Sequence, residues 1–260
     1  MKPQCAATLQ QARSRADALE RWLRAFSHRP GVYSVRDVVV RTLEGVPVGV
    51  KDLADTRDMP TSYGSPICDG HRPANDARIV GAIRARRAPS WCKTATTEFA
   101  SRGPSATVNL WNRAHTPAGS SSGSAAAVGG HRAACRQRAN GWVDDPPGSL
   151  LRRIAMCRQK ACISWLRRFD HIGFFARSVE DAAIAHAVFV DALPETITNE
   201  SAWRTYFDGG TCTPTLGVIS TSFWNAVVAP HQRANFDASP QRLSQGGASI
   251  VELTYGTDLR

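Results

Sequence analysis

Between His115 and Val128 the chain reads HTPAGSSSGSAAAV, a run of small hydroxyl residues between glycines that leads into an alanine-rich helix start. A serine hydroxyl is a weak nucleophile until a base takes its proton, and a lysine can be that base only where burial makes its charged form costly. The short apolar run GVPVGV from Gly45 to Val50 ends in Lys51-Asp52 and so delivers a lysine to a loop. Taken singly, each feature has a plainer reading. A lysine after a strand is usually a solvated surface charge, and a Gly/Ser-rich stretch is usually a flexible loop or a phosphate-binding helix start.

The elements that must carry these residues follow from periodicity. Leu9, Ala12, Ala16, Leu19, Leu23 and Phe26 recur at steps of three and four, which predicts an amphipathic helix. GVPVGV reads as a strand, with Pro47 and Gly49 tolerable near an edge or strand start, and it delivers Lys51-Asp52 to a loop. Asn75 or Asp76 is positioned to cap a helix whose apolar residues Ile79, Val80 and Ile83 share one face. Ser178-Val179-Glu180-Asp181 resembles a capping box opening a helix towards Val190. After Pro214 the pattern gives a strand from Leu216 to Ile219, a polar helical stretch, and a second apolar strand from Ser249 to Leu253. This alternation predicts α/β architecture, and no internal repeat is visible.

Composition narrows the class. The 260 residues can bury a substantial core, as one large domain or part of one. No apolar run is long enough to span a bilayer, and the opening residues lack the apolar centre of a signal peptide, so a cytoplasmic protein without membrane partners is expected. The seven cysteines show neither CxxC pairing nor a histidine partner at zinc spacing, and read as free thiols; neither metal nor organic cofactor is expected. The net charge of +10 raises nucleic-acid binding, but its distribution argues against it. Residues 129–168 hold eight Arg and one Lys against Asp144 and Asp145, a local +7 that leaves +3 for the other 220 residues.

Four segments, in order, resemble the amidase signature family of serine hydrolases. GVPVGVKDLADT (Gly45 to Thr56) is similar to the family's catalytic-lysine strand, and KTATTEFA (Lys93 to Ala100) to its next block. HTPAGSSSGSAAAV resembles the serine-glycine signature, and DHIGFFARSVEDAA (Asp170 to Ala183) the segment after the active site. Together these blocks are far more specific than a lone GxSxG-like match. The resemblance implies a mixed sheet flanked by helices and a mechanism using a Ser, a second Ser on a cis peptide bond, and a Lys. Lys51 matches the family lysine, and Ser120 the cis-serine that relays the proton. Thr96, Thr97, Glu98 and His115 are read as structural. Ala118 stands where the family typically has glycine.

The family's nucleophilic serine lies about two dozen residues beyond the cis-serine, in a TGGS-type loop whose backbone N–H groups also form the oxyanion hole. Counting from Ser120 reaches Val143 and Asp144, neither of which can be that nucleophile. Trp142 has the single codon TGG and valine codons begin with G, so reading one base later gives GGG, a glycine. Carrying that shift from Asn140 to Arg153, with permitted codons, yields Thr-Gly-Gly-Ser followed shortly by Arg-Pro. In Arg87 to Trp91 a reading two bases later permits Gly-Ala-Val-Val-Val, an apolar strand. Residues 129–168 and about 86–92 are therefore read as translated out of frame, which accounts for the basic excess and for Cys92, Cys135, Cys157 and Cys162. Against this stands a natural basic insertion, although Trp142, Ile154, Met156, Ile163, Trp165 and Leu166 follow no helical or strand period. Ser149, the nearest in-frame serine, lacks the Thr-Gly-Gly context.

The sequence is thus expected to be a single amidase-like domain fragment over 1–260, ending before its sheet is complete, with strand edges that favour aggregation. The expected function is hydrolysis of a small-molecule carboxylic amide to acid and ammonia, with activity crippled by loss of the nucleophile loop. No partner-binding signature is visible, which favours a stand-alone amidase over a transfer-RNA-linked amidotransferase component; oligomeric state is not legible. Two other readings remain open: a non-catalytic amide-binding remnant, and a nucleic-acid-binding protein acting through 129–168.

Overall fold

The computed structural model describes residues 14–30, 48–85, 90–101, 103–136, 173–176, 182, 185, 213–220 and 228–254. The chain divides into two compact units, Met1–Asn199 and Glu200–Arg260.

In the first unit, helix α1 covers residues 14–23, with Ala16 and Leu23 buried as their spacing predicts; Leu9 and Ala12 lie outside the described residues. Phe26, expected on the same helix, instead opens strand β1 (Phe26–His28). The helix stops because Arg24 adopts a left-handed backbone at φ 51°, and the Glu20 carboxylate turns back to accept the N–H groups of Ala25 (3.0 Å) and Phe26 (3.1 Å). Those bonds favour the charged form of Glu20, but burial outweighs them and pushes its carboxyl above the ordinary range.

Strand β2 (Val48–Lys51) is buried at every position, which explains why it reads as a continuous apolar run and not as an alternation. Helix α2 (Arg78–Ala85) buries Ile79, Val80 and Ile83, the three residues its period singles out. Its start is later than Asn75 or Asp76 would give. The Asp76 carboxylate is committed elsewhere, accepting the Arg57 N–H at 2.9 Å and lying 3.4 Å from the Arg84 guanidinium. Strand β3 (Ser90–Thr94) joins a three-stranded sheet in the order β1-β3-β2, antiparallel to β1 and parallel to β2. Its register with β2 slips at Trp91, inside the stretch read as out of frame, and is regular from Cys92 to Thr94.

Helix α3 (Ser122–Arg136) follows the serine cluster and packs on β2 and β3. Ala126 and Ala127 meet Leu23 and Ala25, with Leu19, Trp22, Phe26 and Leu110 around them. The small residues of the alanine-rich stretch permit this close approach. Gly123 is the extreme case, since a Cβ there would lie 2.3 Å from the Ala25 oxygen and 2.3 Å from the Ala95 nitrogen, both backbone atoms.

The second unit is a β-α-β crossover. Strands β4 (Thr215–Ser220) and β5 (Ser249–Thr254) run parallel in unbroken register, connected through helix α4 (Pro230–Gln245), as the sequence predicts after Pro214. The expected capping box at 178–181 lies outside the described residues, as do Val143, Asp144, Ser149 and everything else in 137–172. Among the described residues no helix is long and apolar enough to cross a membrane.

Candidate active site

Lys51 is the last residue of β2 and is 4% exposed. Ser120, half-buried, lies two residues before α3, and its peptide bond with Gly119 is cis. The two side chains, 69 residues apart in sequence, meet with Lys51 Nζ 2.6 Å from Ser120 Oγ. Three short connections hold them together. Lys51 pairs with Thr94 across the sheet, and Asp52 N–H donates to the Thr94 carbonyl at 3.0 Å. The Thr94 hydroxyl then bonds Ser124 Oγ in the first turn of α3 at 2.7 Å. One residue on, the Ala95 carbonyl accepts the Gly123 N–H at 3.0 Å. The end of β3 thus clamps the start of α3 to the end of β2.

Ser120 is also held from its backbone. Its carbonyl accepts the Thr96 hydroxyl and the Thr97 N–H, each at 3.1 Å. The sequence reads Thr96 and Thr97 as structural, and the structure gives Thr96 a more particular role, because its hydroxyl touches the serine that faces Lys51. A hydroxyl residue at this place carries no periodic signal, so only the fold reveals the contact. The Thr97 hydroxyl is buried with no hydrogen-bond partner among the described residues. Glu98 accepts the Ser65 hydroxyl at 2.6 Å, and His115 is exposed, so neither reaches the Lys51–Ser120 pair through a described bond.

Lys93 is a second buried lysine, one that sequence reasoning does not single out. It is 0% exposed, and its ammonium donates to the Ala54 carbonyl (2.5 Å) and the Thr61 hydroxyl (2.7 Å) and lies 3.4 Å from Asp52 Oδ1. Asp52 in turn accepts the Ser62 hydroxyl at 2.6 Å. Side chains alternate along a strand, so Thr94 faces α3 while Lys93 turns to the opposite face, into the 52–61 segment. The sheet therefore separates two buried lysines. One is bound to a carboxylate, a carbonyl and hydroxyls, and the other is set against a serine. The signal available in sequence is a lysine inside an otherwise buried strand.

Around this region Tyr63 donates to Asp55 Oδ1 at 2.7 Å, and burial holds the Asp55 carboxyl above its ordinary value against that bond. Ala118 sits at φ 65°, in the left-handed region that favours glycine. Among the described residues no three His, Cys, Asp or Glu side chains converge as a metal site would require.

Comparison with known proteins agrees with this architecture. A family model described as Amidase matches residues 33–135. The chain is 31% identical over 238 residues to a glutamyl-tRNA(Gln) amidotransferase subunit of Mycobacteroides abscessus, covering 82% of this chain and 47% of that protein. It is 28% identical over 235 residues to the corresponding subunit of Koribacter versatilis, covering 82% and 48%. Among solved structures, native peptide amidase from Stenotrophomonas maltophilia superposes with a TM-score of 0.69 at 23% identity, covering 96% of this chain and 58% of that one. The fold is that of the amidase signature proteins, and residues 33–135 match the amidase family model. The chain spans about half the length of the curated relatives it matches.

Proposed function

We propose that the chain carries the base-and-relay half of an amide-hydrolysing site, acting on a linear carboxylic amide to give carboxylate and ammonia. The observation that supports this most directly is the 2.6 Å contact between buried Lys51 and Ser120. In this reading Lys51 is the general base and Ser120 the relay that hands it the proton of a second serine. A buried amine within hydrogen-bond reach of a hydroxyl is the arrangement that general-base activation of a serine requires. The relatives' names divide between amidotransferases and amidases, and chemistry at an amide is common to both names.

The second serine is the missing part. Its expected position falls at Val143 and Asp144, and our reading is that residues 129–168 and about 86–92 are translated out of frame from a gene carrying small insertions or deletions. The charge excess of 129–168 supports this reading. The chain as translated then hydrolyses amides hardly at all, because a triad acts as a unit and the oxyanion hole is lost with its loop. Resequencing the coding DNA from the codon of Arg84 to that of Asp170 tests the frame directly. A shifted Thr-Gly-Gly-Ser across Asn140 to Asp144 is expected, and its absence would make the basic segment genuine. Purified chain is expected to release ammonia from simple aliphatic and aryl amides at close to the uncatalysed rate; turnover at rates ordinary for enzymes would overturn the inactivity.

A further inference from the structure

We propose that Lys51 and Ser120 are by themselves a nucleophile–base dyad, and that Ser120 accepts an acyl group from activated esters. This rests on the contact between the two residues and needs no serine beyond them, so it stands or falls separately from amide hydrolysis.

The geometry has the parts such a step requires. The 2.6 Å separation is within the reach of direct proton transfer from hydroxyl to amine. The base is buried while the hydroxyl residue is only half-buried, so an electrophile from solvent meets the serine before the lysine. The Ser120 carbonyl is pinned by Thr96 and Thr97, and the residue stands at the start of the 15-residue helix α3. Negative charge developing on an acyl oxygen beside that terminus is stabilised by the helix's positive end.

The reaction balances without a further reagent. Ser120 Oγ attacks the ester carbonyl carbon as Lys51 Nζ takes the hydroxyl proton. The tetrahedral species collapses with cleavage of the carbon–oxygen bond to the aryl group, and aryloxide departs with the electron pair. Acyl-Ser120 and the Lys51 ammonium remain, and once the amine is neutral again it can activate water for slow deacylation. Aryl esters suit this dyad because aryloxide leaves unprotonated. An amine leaving group must be protonated as it departs.

The test uses the full chain and 4-nitrophenyl acetate, following nitrophenolate release and locating acetyl groups by peptide mass spectrometry. The expected result is a stoichiometric burst with acetyl on Ser120, formed at least about 100-fold faster in the folded chain than at the same serine in denaturant. Ser120→Ala and Lys51→Met should each remove the burst. Fast acetylation confined to Lys51 or to other residues would overturn the proposal, as would equal rates at Ser120 in folded and denatured chain. The folded-against-denatured comparison decides the matter even if Lys51→Met fails to fold. Acetyl-Ser120 without ammonia release upholds the dyad and agrees with the inactivity expected towards amides, whereas ammonia release at enzymatic rates with Ser120 never acylated would sink the dyad and overturn that inactivity.

Discussion

The two units differ in what they bury, although both expose apolar side chains: in the first, Ile67 is 85% and Trp111 70% exposed. That unit also has charged and hydroxyl side chains inside: Lys51, Asp52, Lys93, Thr94, Thr96, Thr97, Ser122 and Ser124 are all buried, and the described bonds tie them mainly to one another and to backbone. In the second, apolar side chains are outside: Ile219 is 46% exposed, Leu243 47%, Val251 45% and Leu253 46%, and α4 has no buried residue. Regular secondary structure is therefore a poor guide to where stability and chemistry reside. The second unit has the more regular register, whereas the first has the bonds that fix a site. Parallel strands are normally covered on both faces, so the exposed Ile219, Val251 and Leu253 make the second unit the weaker of the two.

The largest expected effect breaks the first half of that comparison. Lys93→Met removes a buried cation from Asp52, Ala54 and Thr61 and leaves a buried carboxylate uncompensated, so it should destabilise the first unit by about 3–5 kcal/mol. Denaturant titration monitored by hydrogen exchange in β2 and β3 measures this, and a loss under about 1 kcal/mol would mean that the polar interior is dispensable. The next effect sharpens the second half. Pro240 lies inside α4, where it cannot donate to the carbonyl four residues before it. Pro240→Ala should raise the stability of the crossover by up to about 3 kcal/mol, seen as slower amide exchange along α4. Unchanged exchange would place the weakness in the uncovered sheet face and not in the helix.

Smaller effects probe the site's own backbone and charge. Ala118→Gly relieves a left-handed alanine beside the serine cluster and should stabilise by about 1 kcal/mol, partly offset by the added freedom of the unfolded chain. A shift of the denaturation midpoint to lower denaturant would contradict it. The smallest concerns His28, whose ring is held below its ordinary value of 6.5 by partial burial and then by the Arg72 charge, against the pull of Asp52. The folded chain thus takes up this proton less readily than the unfolded one. Stability from this source is present above about pH 6.5 and is lost as pH falls through that value towards the lower folded one. His28→Gln should flatten that part of the stability profile, and an unaltered slope would assign it to other groups.

The legible parts of the molecule are those in which neighbouring residues answer for one another. Ile79, Val80 and Ile83 identify their helix because period alone defines a buried face, and the strands after Pro214 are bounded to within about a residue by apolar runs between turn residues. The start of α2 is not legible in this way, because Asp76 is drawn into salt bridges with Arg57, outside the helix, and with Arg84 in its last turn. Phe26 keeps helical spacing yet enters β1, because the left-handed Arg24 and the Glu20 carboxylate end the helix first.

By itself the sequence determined which residue types stood ready for chemistry, a lysine at a strand end and serines at a helix start, together with the local elements that present them. That information is carried by spacing along the chain. Tertiary structure alone decided that Lys51 meets Ser120, that Thr96 and Thr97 hold the serine's carbonyl, and that the sheet turns Lys93 away to Asp52. Those contacts join residues up to 69 positions apart, and they exist only because strand pairing brings Thr94 beside Lys51 while Gly123 lets α3 approach the backbone at Ala25 and Ala95.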